Sequence, residues 1–221
     1  PLVAHIAFTG GPETARHIVR ASAENLASTS LELGGKSPFI VFDDADLESA
    51  ANAQVAGIFA ATGQSCVAGS RLLVQNKVKD AFLKRLKQKA EAIHIGAPQV
   101  METEVGPLCT ARQRDRIAGL IARSVAAGAR VVTGGTAPAG PGFFFPPTIL
   151  DCPQNSPALQ EEFFGPVLSV QGFDTEAEAL HLANATAYGL ASGVFTQSLT
   201  RAHRMIRGLR AGIVWVNTYR V

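Results

Sequence analysis

Short apolar runs alternate along the chain with segments of helical periodicity, and this alternation restricts the fold more than any other feature of the sequence. Most of the helical segments are about ten residues or longer, which is the length that a crossover needs to bring the next strand back parallel to the previous one. Glycine-rich turns separate several of the segments. The sequence therefore predicts an α/β fold in which a parallel sheet and its helices form three layers.

The same patterns predict where the elements lie. Strands are expected at residues 2–8, 39–42, 71–74, 131–132, 143–150, 167–170, 193–196 and 212–217. Helices are expected at residues 13–24, 47–59, 78–93, 111–127, 175–185 and 199–208. The strand at 143–150 opens with three phenylalanines, for which we expect a place in the core; the alternative is that they line a substrate pocket.

Length and charge exclude several classes of protein. The chain has 221 residues, enough for one large domain or two small ones, and its low charged fraction (17%) argues against disorder. The net charge is only +2 and no basic block appears, so we expect no nucleic-acid partner. We also expect no membrane association, because no apolar run approaches membrane-spanning length. The chain begins with Pro1 and stops at Val221 after a strand-like run, so we expect a segment of a longer protein, truncated at both ends.

The three cysteines point to a reducing compartment rather than to a disulfide scaffold. They stand at positions 66, 109 and 152, an odd number without the spacing of a metal site. We therefore expect a cytoplasmic protein with no metal. Cys109 and Cys152 lie in connecting segments without a nearby base in the sequence, and neither is expected to be catalytic.

Cys66 is the first candidate for chemistry. It lies in the segment G-Q-S-C-V-A-G-S-R at residues 63–71, between a helical pattern and an apolar strand. A thiol on such a turn has nearby backbone N–H groups, which favour the thiolate and stabilise an oxyanion. The alternative is a buried small hydrophobic residue, as most free cysteines are. Taken alone, the segment supports both interpretations about equally.

Glu32 is the second candidate. The segment L-E-L-G-G-K-S-P at residues 31–38 places it before a double-glycine turn that leads into an apolar run. Because Leu31 and Leu33 flank it, we expect an apolar setting, which would make the carboxyl group a usable general base. The alternative is an ordinary surface glutamate at the end of a strand.

Two further segments contain groups that suit a nucleotide. Thr9, Gly10 and Gly11 join the first strand to a helix, and the free N–H groups at the start of such a helix can bind a phosphate. The segment E-E-F-F-G-P at 161–166 places Glu162 and Phe164 before a strand. A carboxylate can accept hydrogen bonds from two adjacent hydroxyls, although a solvated acid pair in a turn is the alternative.

Together, the segments at 31–38 and 63–71 resemble the active-site signatures of the NAD(P)-dependent aldehyde dehydrogenase superfamily, in its order and at its usual separation. The segment at 161–166 resembles the E-x-F-G-P motif of the same family. The resemblance covers Phe8 to Asn217, the second half of a family subunit. It implies a remnant of the dinucleotide-binding domain at residues 1–31 and a catalytic, thiol-bearing domain at 32–221, within a parent protein that is a homo-oligomer.

The resemblance also implies a role for each candidate residue. Cys66 would be the nucleophile and Glu32 the base. In the family, the residue at Glu162 holds the nicotinamide ribose and the one at Phe164 packs near it. The resemblance places the remaining contacts to NAD or NADP at Thr9, Gly10, Gly11, Leu33 and Gly34. The chain departs from the family twice, with Gly11 where a small hydroxyl residue is usual and Ala15 where a second glycine is usual.

The implied reaction is oxidation of an aldehyde to a carboxylic acid. Cys66 attacks the carbonyl, a hydride leaves the thiohemiacetal for the cofactor, and Glu32 activates the water that hydrolyses the thioester. The family's oxyanion-hole asparagine would precede Pro1, so we expect little dehydrogenase activity from these residues alone. Two alternatives stay open: a folded inactive domain, and an esterase that uses the thiol and the carboxylate without a cofactor.

Overall fold

The computed structural model describes residues 3–220. Leu2, in the first predicted strand, and the terminal Pro1 and Val221 lie outside the described residues. Nine strands are described within that range: β1 (His5–Thr9), β2 (Ser28–Glu32), β3 (Pro38–Val41), β4 (Arg71–Gln75), β5 (Arg130–Thr133), β6 (Thr148–Asp151), β7 (Val167–Phe173), β8 (Ala191–Phe195) and β9 (Ile213–Val216). The α-helices of the same range are α1 (Pro12–Ser22), α2 (Leu47–Phe59), α3 (Asn76–Glu91), α4 (Ala111–Ala126), α5 (Glu176–Ala183) and α6 (Leu199–Gly208).

Seven strands form one sheet in the order β5-β6-β7-β4-β3-β8-β9. Every neighbouring pair is parallel except β5 and β6, which run antiparallel at one edge. The predicted α/β fold with a parallel sheet is confirmed, and the antiparallel edge strand is an addition to it. Such an edge strand is common in otherwise parallel sheets.

Helices cover both faces of this sheet, as a three-layer fold requires. Successive residues of a strand point to opposite faces, so both faces of a buried parallel strand are apolar. In β3, Phe39 and Val41 pack in a cluster with residues of α2 and α3, whereas Ile40 packs in a cluster with residues of α5 and α6. A third cluster packs α4 against Leu150 of β6 and against the segment that precedes β7.

The first two strands form a separate sheet. β1 and β2 pair in parallel, with α1 as their crossover. The sequence patterns did not predict β2, because Ser28, Thr29 and Ser30 give no apolar signal. The predicted domain boundary between residues 31 and 32 falls within this strand.

The prediction for residues 143–150 was wrong in part. The strand begins at Thr148, and of the three phenylalanines only Phe145 is fully buried, while Phe143 is 38% exposed. Pro146 and Pro147 explain the late start, because proline has no N–H to donate to a neighbouring strand.

Candidate active site

One cleft of about 480 Å³ brings the predicted site residues together. It lies between the β1–β2 sheet and the loops that precede β4 and β7. Its lining includes both proposed catalytic residues and every proposed cofactor contact: Thr9, Gly10, Gly11, Glu32, Leu33, Gly34, Cys66, Glu162 and Phe164, with Gln64 and Ser65 beside them. Segments that are far apart in the sequence therefore share one site.

Strand pairing positions the first part of the cleft. Thr9 and Glu32 are direct partners in the β1–β2 register, and the N–H of Gly10 donates a 3.0 Å hydrogen bond to the carbonyl of Glu32. The predicted phosphate turn is thus held beside the predicted base. Gly11 is the N-cap of α1 and provides no side-chain cap, so N–H groups at this end of the helix remain available to a ligand.

Glu32 itself is exposed, contrary to the expectation of an apolar setting. Side chains of β2 alternate between exposed and half-buried positions, and Glu32 occupies an exposed one while Leu31 is half-buried. Glu32 lies on the exposed face of the two-stranded sheet, together with Ser28 and Ser30. The carboxylate consequently borders the cleft in contact with solvent.

The Cys66 loop begins where α2 ends. Three consecutive residues, Ala61, Thr62 and Gly63, adopt left-handed backbone conformations, which turn the chain sharply out of the helix. Such conformations are unfavourable for alanine and threonine and are concentrated at functional sites. Cys66 follows as a half-buried residue that lines the cleft.

The loop leaves N–H groups free at the thiol. Across residues 3–220, no acceptor takes a hydrogen bond from the backbone N–H of Cys66 or of Val67. Farther along, the loop is anchored to α2: the N–H of Gly69 donates to the carbonyl of Gly57 at 3.2 Å, and the Gln54 amide donates to the carbonyl of Gly69 at 2.7 Å. An anchored thiol beside unpaired N–H groups suits an oxyanion.

Glu162 reaches the cleft from the loop before β7. Its Oε1 atom accepts a 3.1 Å hydrogen bond from the N–H of Gly35. A Cβ atom at Gly34 would collide with the Glu162 carboxylate, and one at Gly35 would lie 2.6 Å from the carbonyl oxygen of Cys66. The double glycine therefore allows both other segments to approach closely.

Burial raises the pKa of Glu162 above its usual value, while the Gly35 hydrogen bond and the charges of Arg116 and Lys36 oppose that shift. The carboxylate is thus partly desolvated but supported by donors and cations. Lys36 is fully buried, and burial lowers its pKa to about 7. Its Nζ atom lies 4.8 Å from the centre of the Phe163 ring.

Two residues of α4 hold the loop that presents Glu162, and neither was predicted from the sequence. Gln113 donates to the carbonyls of Phe163 (2.7 Å) and Phe164 (2.8 Å), and Arg116 donates to those of Glu162 and Phe163 (both 2.8 Å). Phe164 has a left-handed backbone (φ 49°), which these bonds help to maintain. Their spacing of three residues on a predicted helix was the available signal, because it places both on one face.

The other two cysteines lie outside the cleft lining. Cys152 is buried, and burial raises the pKa of its thiol. Cys109 is exposed, and its N–H donates to Gln64 at 3.1 Å.

Over residues 3–220, no group of three or more histidine, cysteine, aspartate or glutamate side chains is arranged to hold a metal ion. None of the helices in this range is both long and apolar enough to cross a membrane.

The chain is similar in sequence to dehydrogenases of known name. The chain is 65% identical to the (Z)-2-((N-methylformamido)methylene)-5-hydroxybutyrolactone dehydrogenase of Acinetobacter baylyi. The match covers 100% of this chain and 46% of that protein. It is 48% identical to a betaine aldehyde dehydrogenase of Sinorhizobium fredii, with 99% of this chain and 46% of the relative covered. The chain thus spans about half the length of the relatives that it matches.

Solved structures of related proteins have nearly the same fold as this chain. The betaine aldehyde dehydrogenase of Staphylococcus aureus in complex with NAD⁺ is 41% identical and superimposes with a TM-score of 0.95, over 99% of this chain and 44% of that one. PnpE in complex with nicotinamide adenine dinucleotide is 45% identical, with a TM-score of 0.96 over 99% and 46% of the two chains. The model of the aldehyde dehydrogenase family matches residues 1–221, and the chain belongs to that family.

Proposed function

We propose that these residues form the thiol-bearing half of a dehydrogenase that oxidises an aldehyde to a carboxylic acid with NAD⁺ or NADP⁺. The observation that carries the proposal is the single cleft in which Cys66, Glu32 and Glu162 meet. Relatives that the chain covers only by half include a named betaine aldehyde dehydrogenase, which supports an aldehyde as the substrate class. In this proposal, residues 1–31 belong to the cofactor domain and residues 32–221 form the catalytic domain.

Cys66 is the nucleophile in this proposal. Its thiolate sulfur forms a bond to the aldehyde carbon, and the carbonyl π electrons move to oxygen to give a thiohemiacetal oxyanion. The free backbone N–H of Cys66 lies next to the forming anion and donates to it. Loss of hydride from the carbon then restores the carbonyl as a thioester on Cys66.

The chain's own residues fit the dinucleotide. The exposed N-terminus of α1, with Thr9, Gly10 and Gly11, suits a pyrophosphate, and Leu33 and Gly34 line the cleft between that turn and Glu162. Glu162 is held by Gly35 and suits a ribose diol, and Phe164 offers an exposed ring beside it. When bound, NAD(P)⁺ supplies the hydride acceptor.

Glu32 completes the cycle as the base. Its exposed carboxylate takes a proton from water, the resulting hydroxide attacks the thioester carbon, and the bond to sulfur breaks to release the carboxylic acid. This role favours hydrolysis over transfer of the acyl group to coenzyme A. We further expect a cytoplasmic, homo-oligomeric parent protein, with the odd number of cysteines as the support for a reducing compartment.

The decisive experiment measures formation of reduced cofactor with an aldehyde present. We expect the complete subunit to reduce NAD⁺ or NADP⁺, and Cys66→Ser to lose that activity by at least about a thousandfold. Cys109→Ser, which changes a thiol outside the cleft lining, is the matched control and should retain it. We expect residues 1–221 alone to show little reduction. Full activity of Cys66→Ser would refute the proposal. Robust reduction of the cofactor by residues 1–221 alone would refute the expectation that this part of the subunit has little activity.

Hydrolysis of esters without a cofactor is the second candidate function. It is favoured by the placement of Cys66 and Glu32 in the same cleft, which requires no other domain. The 221-residue chain should be tested with a p-nitrophenyl ester, alongside Cys66→Ser and Glu32→Gln. Turnover that both substitutions abolish would establish an esterase; a single acylation that stops at Cys66 would leave the chain a folded but inactive domain.

A further inference from the structure

Tyr219 lies outside the cleft lining but contacts the loop that carries the thiol. It follows β9 in the sequence and is buried, with a relative exposure of 6%. Its hydroxyl donates a 2.9 Å hydrogen bond to the carbonyl of Val67, the residue after Cys66. Because 152 residues separate the two partners, this is a tertiary contact rather than a local turn.

Three glycines make room for the Tyr219 ring. A Cβ atom would lie 2.9 Å from the ring at Gly57, 3.2 Å from it at Gly69 and 2.6 Å from it at Gly193. These glycines come from α2, from the Cys66 loop and from β8, respectively. The ring is therefore enclosed by the helix that leads to the loop, by the loop itself and by the sheet.

Aromatic neighbours hold the remaining sides of the ring. Its centroid lies 4.7 Å from that of Trp215 and 5.3 Å from that of Phe39, both tilted. Tilted aromatic pairs at these distances are favourable beyond the area that they bury. With glycines and aromatic rings around it, Tyr219 has a defined position from which its hydroxyl reaches the Val67 carbonyl.

The other side of the loop packs against Gly35, where the carbonyl of Cys66 leaves no space for a side chain. The loop thus lies between the double-glycine segment and Tyr219. We propose that Tyr219 is a positioning residue for the nucleophile: its hydroxyl fixes the Val67 carbonyl and so the orientation of Cys66 and of the adjacent N–H groups. This inference rests on the proposed role of Cys66.

The hydroxyl is available as a donor throughout the physiological pH range. Burial raises the pKa of Tyr219 well above its usual value, so the phenol stays protonated. Val67 is half-buried, and its carbonyl would lose this partner if the hydroxyl were removed.

The test is Tyr219→Phe in the 221-residue chain, which keeps the ring and deletes only the hydroxyl. Hydrogen exchange of the Ala68 and Gly69 amides reports on the loop, because these amides donate to Ser65 and Gly57. We expect their exchange to accelerate about fivefold, the effect of one lost hydrogen bond, while amides of β4 and β7 change less than about twofold. In the complete subunit, kcat should fall and KM for NAD⁺ should stay within about twofold.

Ser124→Ala is the matched control, because it also deletes a buried hydroxyl that donates to a carbonyl, that of Leu120 within α4. It should leave exchange in the Cys66 loop unchanged. Gly193→Ala is the second variant: its methyl would press on the ring from the sheet side and displace it without removing the hydroxyl. Should Tyr219→Phe destabilise the chain, Gly193→Ala must still accelerate exchange in the loop.

Uniform acceleration across the sheet, or unchanged exchange in the loop, would show that Tyr219 is a core residue only and overturn the inference. These outcomes are separate from the proposed function. An active Cys66→Ser subunit would refute the role of the thiol, whereas the exchange experiment concerns the loop whatever reaction it serves.

Discussion

The backbone N–H of Gly35 donates a hydrogen bond of 3.1 Å to Oε1 of Glu162, although 127 residues separate the two in the sequence. This bond joins the segment that contains the proposed base to the segment that contains the proposed ribose ligand. It requires the backbone of Gly34 and Gly35 to approach the Glu162 carboxylate closely, which glycine permits because it has no Cβ atom. The geometry of the cleft therefore depends on the double glycine as much as on the charged residues.

Gly34→Ala tests that dependence. The added methyl would collide with the Glu162 carboxylate, which should move away because it is the end of a flexible side chain. We expect NAD⁺ affinity of the complete subunit to fall by about tenfold, the equivalent of one charged hydrogen bond. Isothermal titration calorimetry measures it. The control is Gly119→Ala, at an exposed site in α4 where a Cβ atom meets nothing within 4 Å; equal losses in both variants would count against the argument.

Removal of the α4 side chains should loosen the Glu162–Phe164 loop. Gln113→Ala and Arg116→Ala each delete two hydrogen bonds to its carbonyls, so we expect each to cost about 1 kcal/mol of stability and to accelerate hydrogen exchange at residues 162–165. Urea unfolding and exchange mass spectrometry measure the two effects. Arg112→Ala, an exposed arginine of the same helix, should change neither. A loop that remains protected in both variants would contradict this explanation.

Lys36 should make stability depend on pH. Its folded pKa of about 7 lies below the ordinary 10.5, so between these values the unfolded chain binds a proton that the folded chain has released. Stability therefore rises with pH across this window, by about 1.4 kcal/mol per pH unit at most. Lys36→Met removes this contribution. Subtracting its urea-unfolding curve from that of the wild type at each pH cancels other titrating groups, and a flat difference would show that Lys36 keeps its proton.

The three thiols should react at different rates with iodoacetamide. Cys109 is exposed and Cys66 borders the cleft, so both should be labelled in the native chain. Cys152 is buried with a raised pKa, and we expect it to react more than about a hundredfold more slowly than Cys109. Peptide mass spectrometry separates the three sites. Rapid native labelling of Cys152 would mean that the third core cluster opens locally.

The sequence by itself determined the fold class and the residues that share the cleft. Short apolar runs and segments of helical periodicity are local properties of the sequence. Their alternation predicts buried parallel strands that are connected by helices. The segments around Cys66, Glu32 and Glu162 were identified by their resemblance to the family signatures, whose residue types and spacings are visible without a structure. Strand 143–150 shows the limit: apolar character alone did not reveal that its prolines delay pairing.

Only the tertiary structure decided what surrounds those residues. Strand β2 has a polar sequence and exists because β1 pairs with it, and this pairing places Glu32 on the exposed face of the small sheet. The same holds for Gln113, Arg116 and Tyr219, whose hydrogen bonds join segments distant in the sequence. Burial and hydrogen bonding across such separations depend on which elements pack together, and local periodicity carries no information about that choice.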